Sequence, residues 1–239
     1  MAISIDTVHQ RVLALANKEQ RGYITPQEFN LFANQAQREI FEQYFYELNQ
    51  FARLPQNSYE YSNVPDILKE KIAVFEKFHI DMSAVSGSTC TLPTDVYRLG
   101  TVFYNDGTNS LIVEKVEKKE LQRMNQAALY KPRQARPLYV RKNATQIVIY
   151  PESASPSFST STVNCHYIAK PSTAKWGSVI VNEKALYNST TSVNFELHES
   201  EETSLVIKIL ELAGVTIRQQ DITTFATNKD TVTETKEKQ

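Results

Sequence analysis

The sequence predicts an α+β protein in which a helical bundle, made of N-terminal helices and a C-terminal helix, carries an inserted antiparallel β domain. Apolar residues recur at helical spacing near both ends of the chain. The segments between them are short, rich in β-branched and aromatic residues, and separated by turn residues. The C-terminal helix needs an apolar partner, and the N-terminal helices offer the nearest one in the sequence. We therefore expect a bundle of residues 1–79 and 199–222, a β domain of residues 80–198 with one short helix, and an extended polar tail of residues 223–239.

Three helices are predicted in the N-terminal third. Residues 5–18 place their apolar side chains on one stripe. A second helix is predicted to run from Pro26 to about Phe51, because Thr25 and Glu28 have the spacing of a capping box. Residues 65–78 repeat the helical spacing and predict a third helix. The second helix carries more aromatic residues than one packing surface needs, which indicates that a further surface covers it.

The middle of the chain is predicted to be β-structure, apart from a helix between Glu117 and Leu129. The turn sequence at residues 105–107 predicts a hairpin between two of the strands. Residues 192–198 are predicted to form the last strand. Cys165 alternates with polar neighbours, which indicates a small core residue rather than half of a disulfide.

Composition excludes several classes of protein. With 26 basic and 27 acidic side chains, the formal net charge is -1, so the chain has no bulk attraction for DNA or for an anionic membrane. A generic basic DNA-coating protein is therefore excluded. No apolar run reaches the ~18 to 20 residues that a membrane span needs, and the first residues lack a signal-peptide pattern. We expect a protein that is made and used in the cytoplasm and has no membrane partner.

Sequence patterns typical of catalysis or of cofactor binding are not found. The six glycines do not cluster, which argues against a phosphate-binding loop and a dinucleotide fingerprint. The four histidines are scattered, and no two stand at the spacing of a helical zinc site. The acidic residues around Glu199 are explained by the start of a helix. We expect no metal, no cofactor and no enzymatic activity.

One local charge cluster stands out between Tyr130 and Lys142. It holds five basic side chains without an intervening acid: Lys131, Arg133, Arg136, Arg141 and Lys142. Arginine forks suit phosphate oxygens, so the segment is a candidate contact with a partner or with DNA. The interpretation as a solvated loop, or as a docking surface for acidic residues of a partner, is favoured, because nothing else in the sequence forms a basic face.

A series of short motifs runs through the chain in a fixed order. They are Leu92, Pro93, Asp95 and Arg98; Val102 to Gly107; Leu111 to Glu117; Pro137 and Tyr139; Ile147 to Pro151; Tyr167 to Pro171; and Leu205 to Leu212. Between about Phe29 and Ile217 this order resembles the head-to-tail adaptor and tail tubular proteins of tailed bacteriophages. One departure is Ala135-Arg136-Pro137, where members of that family often carry a glycine before the proline.

The resemblance implies a non-enzymatic virion protein that forms a homo-oligomeric ring, a dodecamer, below the portal protein. Such a ring joins the portal to a downstream tail or nozzle protein and lines the path through which double-stranded DNA passes. It implies a place in the virion neck or tail of a short-tailed or crAss-like phage, assembled in the host cytoplasm. For this ring we predict inter-subunit contacts from four aromatic residues: Phe32, Phe41, Phe45 and Phe225.

Two other functions stay open at this point. An accessory virion binding module, such as a head fibre or a receptor-contacting tail protein, would form trimers or bind glycans. The long N-terminal helices argue against it. A tail-associated hydrolase of unrecognised type has only the scattered acidic residues in its favour.

Overall fold

The computed structural model describes residues 3–17, 24–51, 64–86, 88–105, 110–133, 135–151, 163–181 and 184–217. They form the mixed α+β structure that the sequence predicts. The helices are α1 (Ile5–Asn17), α2 (Pro26–Phe51), α3 (Val64–Ala73), α4 (Lys118–Gln126) and α5 (Glu202–Ile217). The strands are β1 (Glu76–Asp81), β2 (Ser83–Ser86), β3 (Thr89–Thr91), β4 (Val96–Asn105), β5 (Ser110–Lys115), β6 (Leu138–Arg141), β7 (Gln146–Tyr150), β8 (Val163–Ala169), β9 (Ser178–Val181) and β10 (Lys184–Tyr187).

The chain divides into two compact units. The helical unit comprises Met1–Val74 and Pro171–Gln239, and the sheet unit comprises Phe75–Lys170. In the helical unit, α5 packs against α1 and α2, and α3 packs against α2. The side chains that meet there are fully buried and apolar, among them Ile5, Val8, Val12, Phe29, Leu205 and Ile209. Burial of apolar area, rather than helix propensity, stabilises helices of this length.

The start of α2 has the capping box that the sequence predicts. The backbone N–H of Thr25 donates to Glu28 Oε2 over 2.9 Å, and the backbone N–H of Glu28 donates to Thr25 Oγ1 over 3.3 Å. Two amide groups that the helix cannot satisfy thus find partners. The hydrogen bonds from the Thr25 backbone and side chain hold the pKa of Glu28 below its ordinary value.

Residues 171–198, which the sequence analysis places in the β domain, belong to the helical unit. The strand predicted at residues 192–198 is wrong, since this segment forms only isolated bridges, Val193 with Lys175 and Phe195 with Ile3. Phe195 is fully buried. The alternation of apolar and polar residues that predicts a strand therefore reflects an extended segment packed on helices.

Two asparagine side chains of α2 hold the start of that extended segment. Asn34 donates to the carbonyl of Ala174 over 2.8 Å and accepts from the backbone N–H of Ala174 over 2.9 Å. Asn30 makes the same pair of contacts with Trp176, over 3.2 Å and 2.7 Å. Four helical residues rise about 6.0 Å and two extended residues span about 6.6 Å, so the spacings match. We call this arrangement the amide ladder.

The sheet unit is built on one sheet with the strand order β1-β8-β4-β5-β6-β7-β3-β2. Strands from β8, near one end of this order, to β3, near the other, contribute to a single core, and the sheet curls around it. The core residues include Met82, Cys90, Val102, Tyr104, Val113, Tyr139, Ile147, Ile149, Val163, Cys165 and Tyr167. The expectation of a purely antiparallel domain is wrong at one place, because β5 and β6 are parallel. The connection through α4 makes this possible, since parallel neighbours need a crossover.

Two predicted helices are shorter in the structure than in the sequence analysis. The third helix ends at Ala73, and Phe78 lies in β1, whose pairing with β8 outweighs the helical spacing of the apolar residues. The helix α4 ends at Gln126, so Ala128 is exposed rather than turned inward. Leu121 of α4 packs as expected, in a small cluster with Val116, Leu138 and Val140. The turn predicted at residues 105–107 lies mostly outside the described residues.

Asp95 joins two separated parts of the sheet unit. Its carboxylate accepts from the Tyr167 hydroxyl over 2.9 Å and from Lys77 Nζ over 2.6 Å. Its backbone carbonyl accepts from the N–H of Lys170 over 2.7 Å. Partial burial alone would raise the pKa of Asp95, but the hydrogen bonds from Lys77 and Tyr167 hold that pKa below its ordinary value.

Cys90 and Cys165 are free, buried thiols of the sheet core, as the strand pattern around Cys165 predicts. Burial raises the pKa of each thiol from 9.0 to about 11. We expect the protonated thiols to contribute stability below pH 9 that is lost as the pH rises through about 11.

We also expect neither thiol to react with a disulfide reagent at pH 8 until the protein is unfolded in urea, measured by the absorbance of the released thiolate. Rapid reaction of the native protein would contradict this.

Candidate functional site

The structure separates the five basic side chains that the sequence analysis groups together. All of Lys131, Arg133, Arg136, Arg141 and Lys142 are exposed. Arg136 pairs with Glu114 of β5 at 3.2 Å, so its charge is offset by an acid from elsewhere in the sequence. Arg141 and Lys142 line different grooves, because successive residues along a strand point to opposite faces. The segment therefore does not form one basic face.

Arg141 lines a groove of about 380 Å³ where β4 begins and where β5 and β6 end. The other residues that line it are Tyr97, Arg98, Leu99, Lys115 and Tyr139. We call it the mouth groove. Lys142 instead faces α4, in a groove of about 530 Å³ that also contains Lys118 and Leu121.

The mouth groove forms where two rows of buried side chains in the sheet continue into charged residues. Alternate residues of a strand share a face, so Lys115 follows the buried Val113, and Arg141 follows the buried Tyr139. Lys115 and Tyr139 are direct neighbours in the parallel pair of β5 and β6. The alternation was visible in the sequence, but the pairing that brings these residues together was not.

Three consecutive residues of β4, Tyr97 to Leu99, line the mouth groove together. A regular strand would turn the middle one away. The pairing of β4 with β8 shifts register between Val96 and Arg98 and again between Leu99 and Val102. Such irregularities bend a strand and re-aim its side chains. They explain why Arg98 reaches the groove, which the sequence analysis did not predict.

Positive charge dominates the mouth groove. Three cationic residues line it, and none of the described lining residues is acidic. The Arg141 guanidinium is held in place because it donates to the carbonyls of Asn143 and Ala144 over 3.2 Å and 2.9 Å. Burial raises the pKa of Tyr139, against the opposing effect of the Arg141 charge, so the phenol remains a donor. The groove is thus suited to an anion with several oxygen acceptors.

The aromatic residues predicted to contact a neighbouring subunit have different positions in the structure. Phe41 and Phe45 are 2% and 8% exposed and pack edge to face, 5.1 Å apart. The chain's own core therefore covers them, which removes them from the surface that a neighbour could reach. Phe32 is half-buried. Phe225 lies outside the described residues.

The hairpin of β9 and β10 is the most apolar exposed segment of the described helical unit. It is a separate two-stranded antiparallel sheet, with Leu186 opposite Val179. Its exposed apolar residues are Val179, Ile180, Val181, Leu186 and Tyr187, and Ile180 is 77% exposed. An isolated hairpin is marginally stable in water, and one with apolar residues on both faces needs a cover. We call it the apolar hairpin.

The helical unit also has an apolar concave surface. A groove of about 360 Å³ lies between the end of α2 and α3, with Phe51, Val64, Ile67 and Leu68 on its apolar side. Its polar lining includes Glu47, Lys71 and His198. We call it the helical groove. Ile67 is partly exposed there and offers its side chain to a ligand or partner.

Two other kinds of site are absent from the part of the chain that the structure describes. No group of three histidine, cysteine or carboxylate residues in it is placed to hold a metal ion. No helix in it is both long enough and apolar enough to cross a bilayer.

No protein-family model matches this chain, and no curated protein sequence matches it. Its function has therefore to be argued from the motifs and from the surfaces described above.

Proposed function

We propose that this protein is a structural virion component that assembles into a ring between the portal and the tail of a tailed bacteriophage and lines the path of the genome. The order of the motifs supports the virion role. Assembly into a ring is supported by the exposed apolar hairpin, which lies in the same unit as the concave helical groove. The proposed partners are further copies of this chain, the portal protein and a downstream tail protein.

A ring of identical subunits needs two different surfaces that fit each other. The apolar hairpin supplies a projecting surface, and the helical groove supplies a concave one. In our proposal the hairpin of one copy fills the helical groove of the next. Removing apolar area from water favours this contact by about 25 cal/mol per Å². A rotation between successive copies then closes the ring, and the resemblance implies twelve of them.

We further infer that α1, α2, α3 and α5 form a helical bundle and that the sheet unit is inserted into its sequence. The packing of α5 on α1 and α2 supports the bundle. The division of the chain supports the insertion, since the helical unit contains residues from both sides of the sheet unit. In our proposal the inserted unit contacts the next component of the neck or tail.

The motifs that carry the resemblance also meet in space, which supports their common role. Asp95 of the first motif holds Tyr167 and Lys170 of a later one through the contacts described above. Arg98 of the first motif and Tyr139 of another one line the mouth groove. These contacts support a common structural role for three of the motifs.

Replacing Ile180 with glutamate is the direct test of the ring. We expect the natural protein to form rings in negative-stain images and a large species in light scattering. The Ile180→Glu variant should be monomeric, because burying an unpaired carboxylate costs several kcal/mol. Leu129→Glu is the matched control, since Leu129 is an exposed apolar residue of the sheet unit, and it should leave the rings intact. A trimeric rod from the natural protein would instead favour the accessory binding module.

Mixing two defective variants tests how the surfaces pair. Ile67→Glu alters the helical groove and should also give monomers. A mixture of Ile180→Glu and Ile67→Glu retains one intact hairpin and one intact groove, so it should form dimers but no rings. Mixtures that stay monomeric, or variants that assemble like the natural protein, would refute the hairpin-in-groove contact.

A further inference from the structure

We propose that the mouth groove is a phosphate-binding site in which Arg98, Lys115 and Arg141 contact the phosphate oxygens. This inference rests on the sheet unit alone and does not depend on ring assembly. It differs from the basic segment that the sequence analysis singled out, because only Arg141 is common to both.

The set of side chains in the groove matches the chemistry of phosphate contact. Arginine, lysine and tyrosine are among the side chains that bind phosphate oxygens in protein–nucleic acid complexes. Arginine offers a planar fork and lysine a compact charge, and the groove has both kinds. Tyr97 and Tyr139 add hydroxyl groups that can donate.

The charge of the groove favours phosphate over a carboxylate. Its three cationic residues can balance the charge of about -1.5 to -2 that a phosphate monoester carries at pH 7. A carboxylate carries a single charge and would gain less from the same side chains. The volume of about 380 Å³ lies within the range of about 300–1,000 Å³ typical of small-ligand pockets.

The phosphate could come from two sources, a free phosphate compound or the backbone of DNA. The formal net charge of the chain is -1, so neither source is attracted by the protein as a whole. Binding at the groove must therefore depend on these three residues and on the salt concentration.

The experiment measures binding of pyrophosphate by calorimetry and of a short DNA duplex by fluorescence anisotropy. Lys115→Gln and Arg98→Gln should each weaken binding about tenfold, as expected for one charge-assisted contact. Lys142→Gln removes the same charge from the opposite face and is the matched control, with affinity unchanged. All three side chains are exposed, so the variants should fold normally, which circular dichroism checks.

The outcomes separate the sources. Pyrophosphate binding that the groove variants weaken supports a site for free phosphate compounds. Duplex binding alone, with a salt slope about one unit smaller in each groove variant, supports the DNA backbone as the source. Absence of binding to both probes, or an equal effect of Lys142→Gln, would overturn the proposal. Loss of rings in Ile180→Glu leaves these measurements unaffected, so the two proposals fail independently.

Discussion

Replacing Lys71 with methionine is expected to lower the free energy of unfolding by about 3–5 kcal/mol. Lys71 Nζ lies 2.6 Å from Glu201 Oε1, and the two side chains are only 10% and 8% exposed. The pair joins α3 to the turn before α5. Without the cation, the Glu201 carboxylate would be buried and uncompensated. A second carboxylate, that of Glu47, lines the same groove as Lys71. Urea denaturation followed by circular dichroism measures the loss.

A second lysine of α3 provides the control. Lys69 pairs with Asp66 over 3.0 Å, but both side chains are more than half exposed. Lys69→Met should therefore change the free energy of unfolding by less than about 1 kcal/mol. The double variant Lys71→Met with Glu201→Leu should recover most of the lost stability, since it removes the uncompensated charge. Equal losses for the two single variants would show that burial of the Lys71 pair does not matter.

Replacing Asn34 with alanine is expected to cost about 2–4 kcal/mol, because the backbone N–H and carbonyl of Ala174 both lose their partner. Ala174 is 1% exposed, so water cannot easily replace the amide. Thermal denaturation measures the loss of stability. Hydrogen exchange should show faster exchange at the Ala174 amide in the variant.

The neighbouring Gln35 gives a control on the same helix. Its side chain is exposed and donates to Glu39, a contact typical of a solvated helix face. Gln35→Ala should change stability by less than about 0.5 kcal/mol. If Asn34→Ala lowered stability by as little as Gln35→Ala, the amide ladder would not anchor the extended segment. Other contacts would then have to explain the position of that segment.

Much of the helical structure could be predicted because its signals are local. The capping box at Thr25 fixes the start of α2, and the apolar spacing gives its length. The third helix ends earlier than the sequence predicts, because the helical spacing of apolar residues continues to Phe78 beyond the last residue of α3. The pairing of Glu76 with Ile168 makes that segment a strand, and this pairing joins residues that are far apart in the sequence.

The position of residues 171–198 could not be read from local patterns either. Polar residues of α2 hold the segment, and Gln37 extends the amide ladder by donating to the carbonyl of Ser172 over 2.7 Å. A buried glutamine among the apolar residues of α2 is a signal of such a contact, but it does not say which segment it binds.

The candidate sites could likewise be predicted only where their signals are local. The sequence identified Arg141 from its basic neighbours, but it could not bring Arg98 and Lys115 beside it. That step depends on the parallel pairing of β5 with β6 and on the irregular register of β4. The aromatic excess of α2 suggested an external partner, whereas the fold buries Phe41 and Phe45 internally.

The two ends of the sheet unit are neighbours, since the carbonyl of Phe75 accepts from the N–H of Ala169 over 2.8 Å. The chain thus leaves and returns through adjacent strands of the same sheet. Insertions of this kind are tolerated because their termini need only a short bridge. Evolution can therefore enlarge, exchange or discard the middle two fifths of the gene while the flanking helical segments are kept.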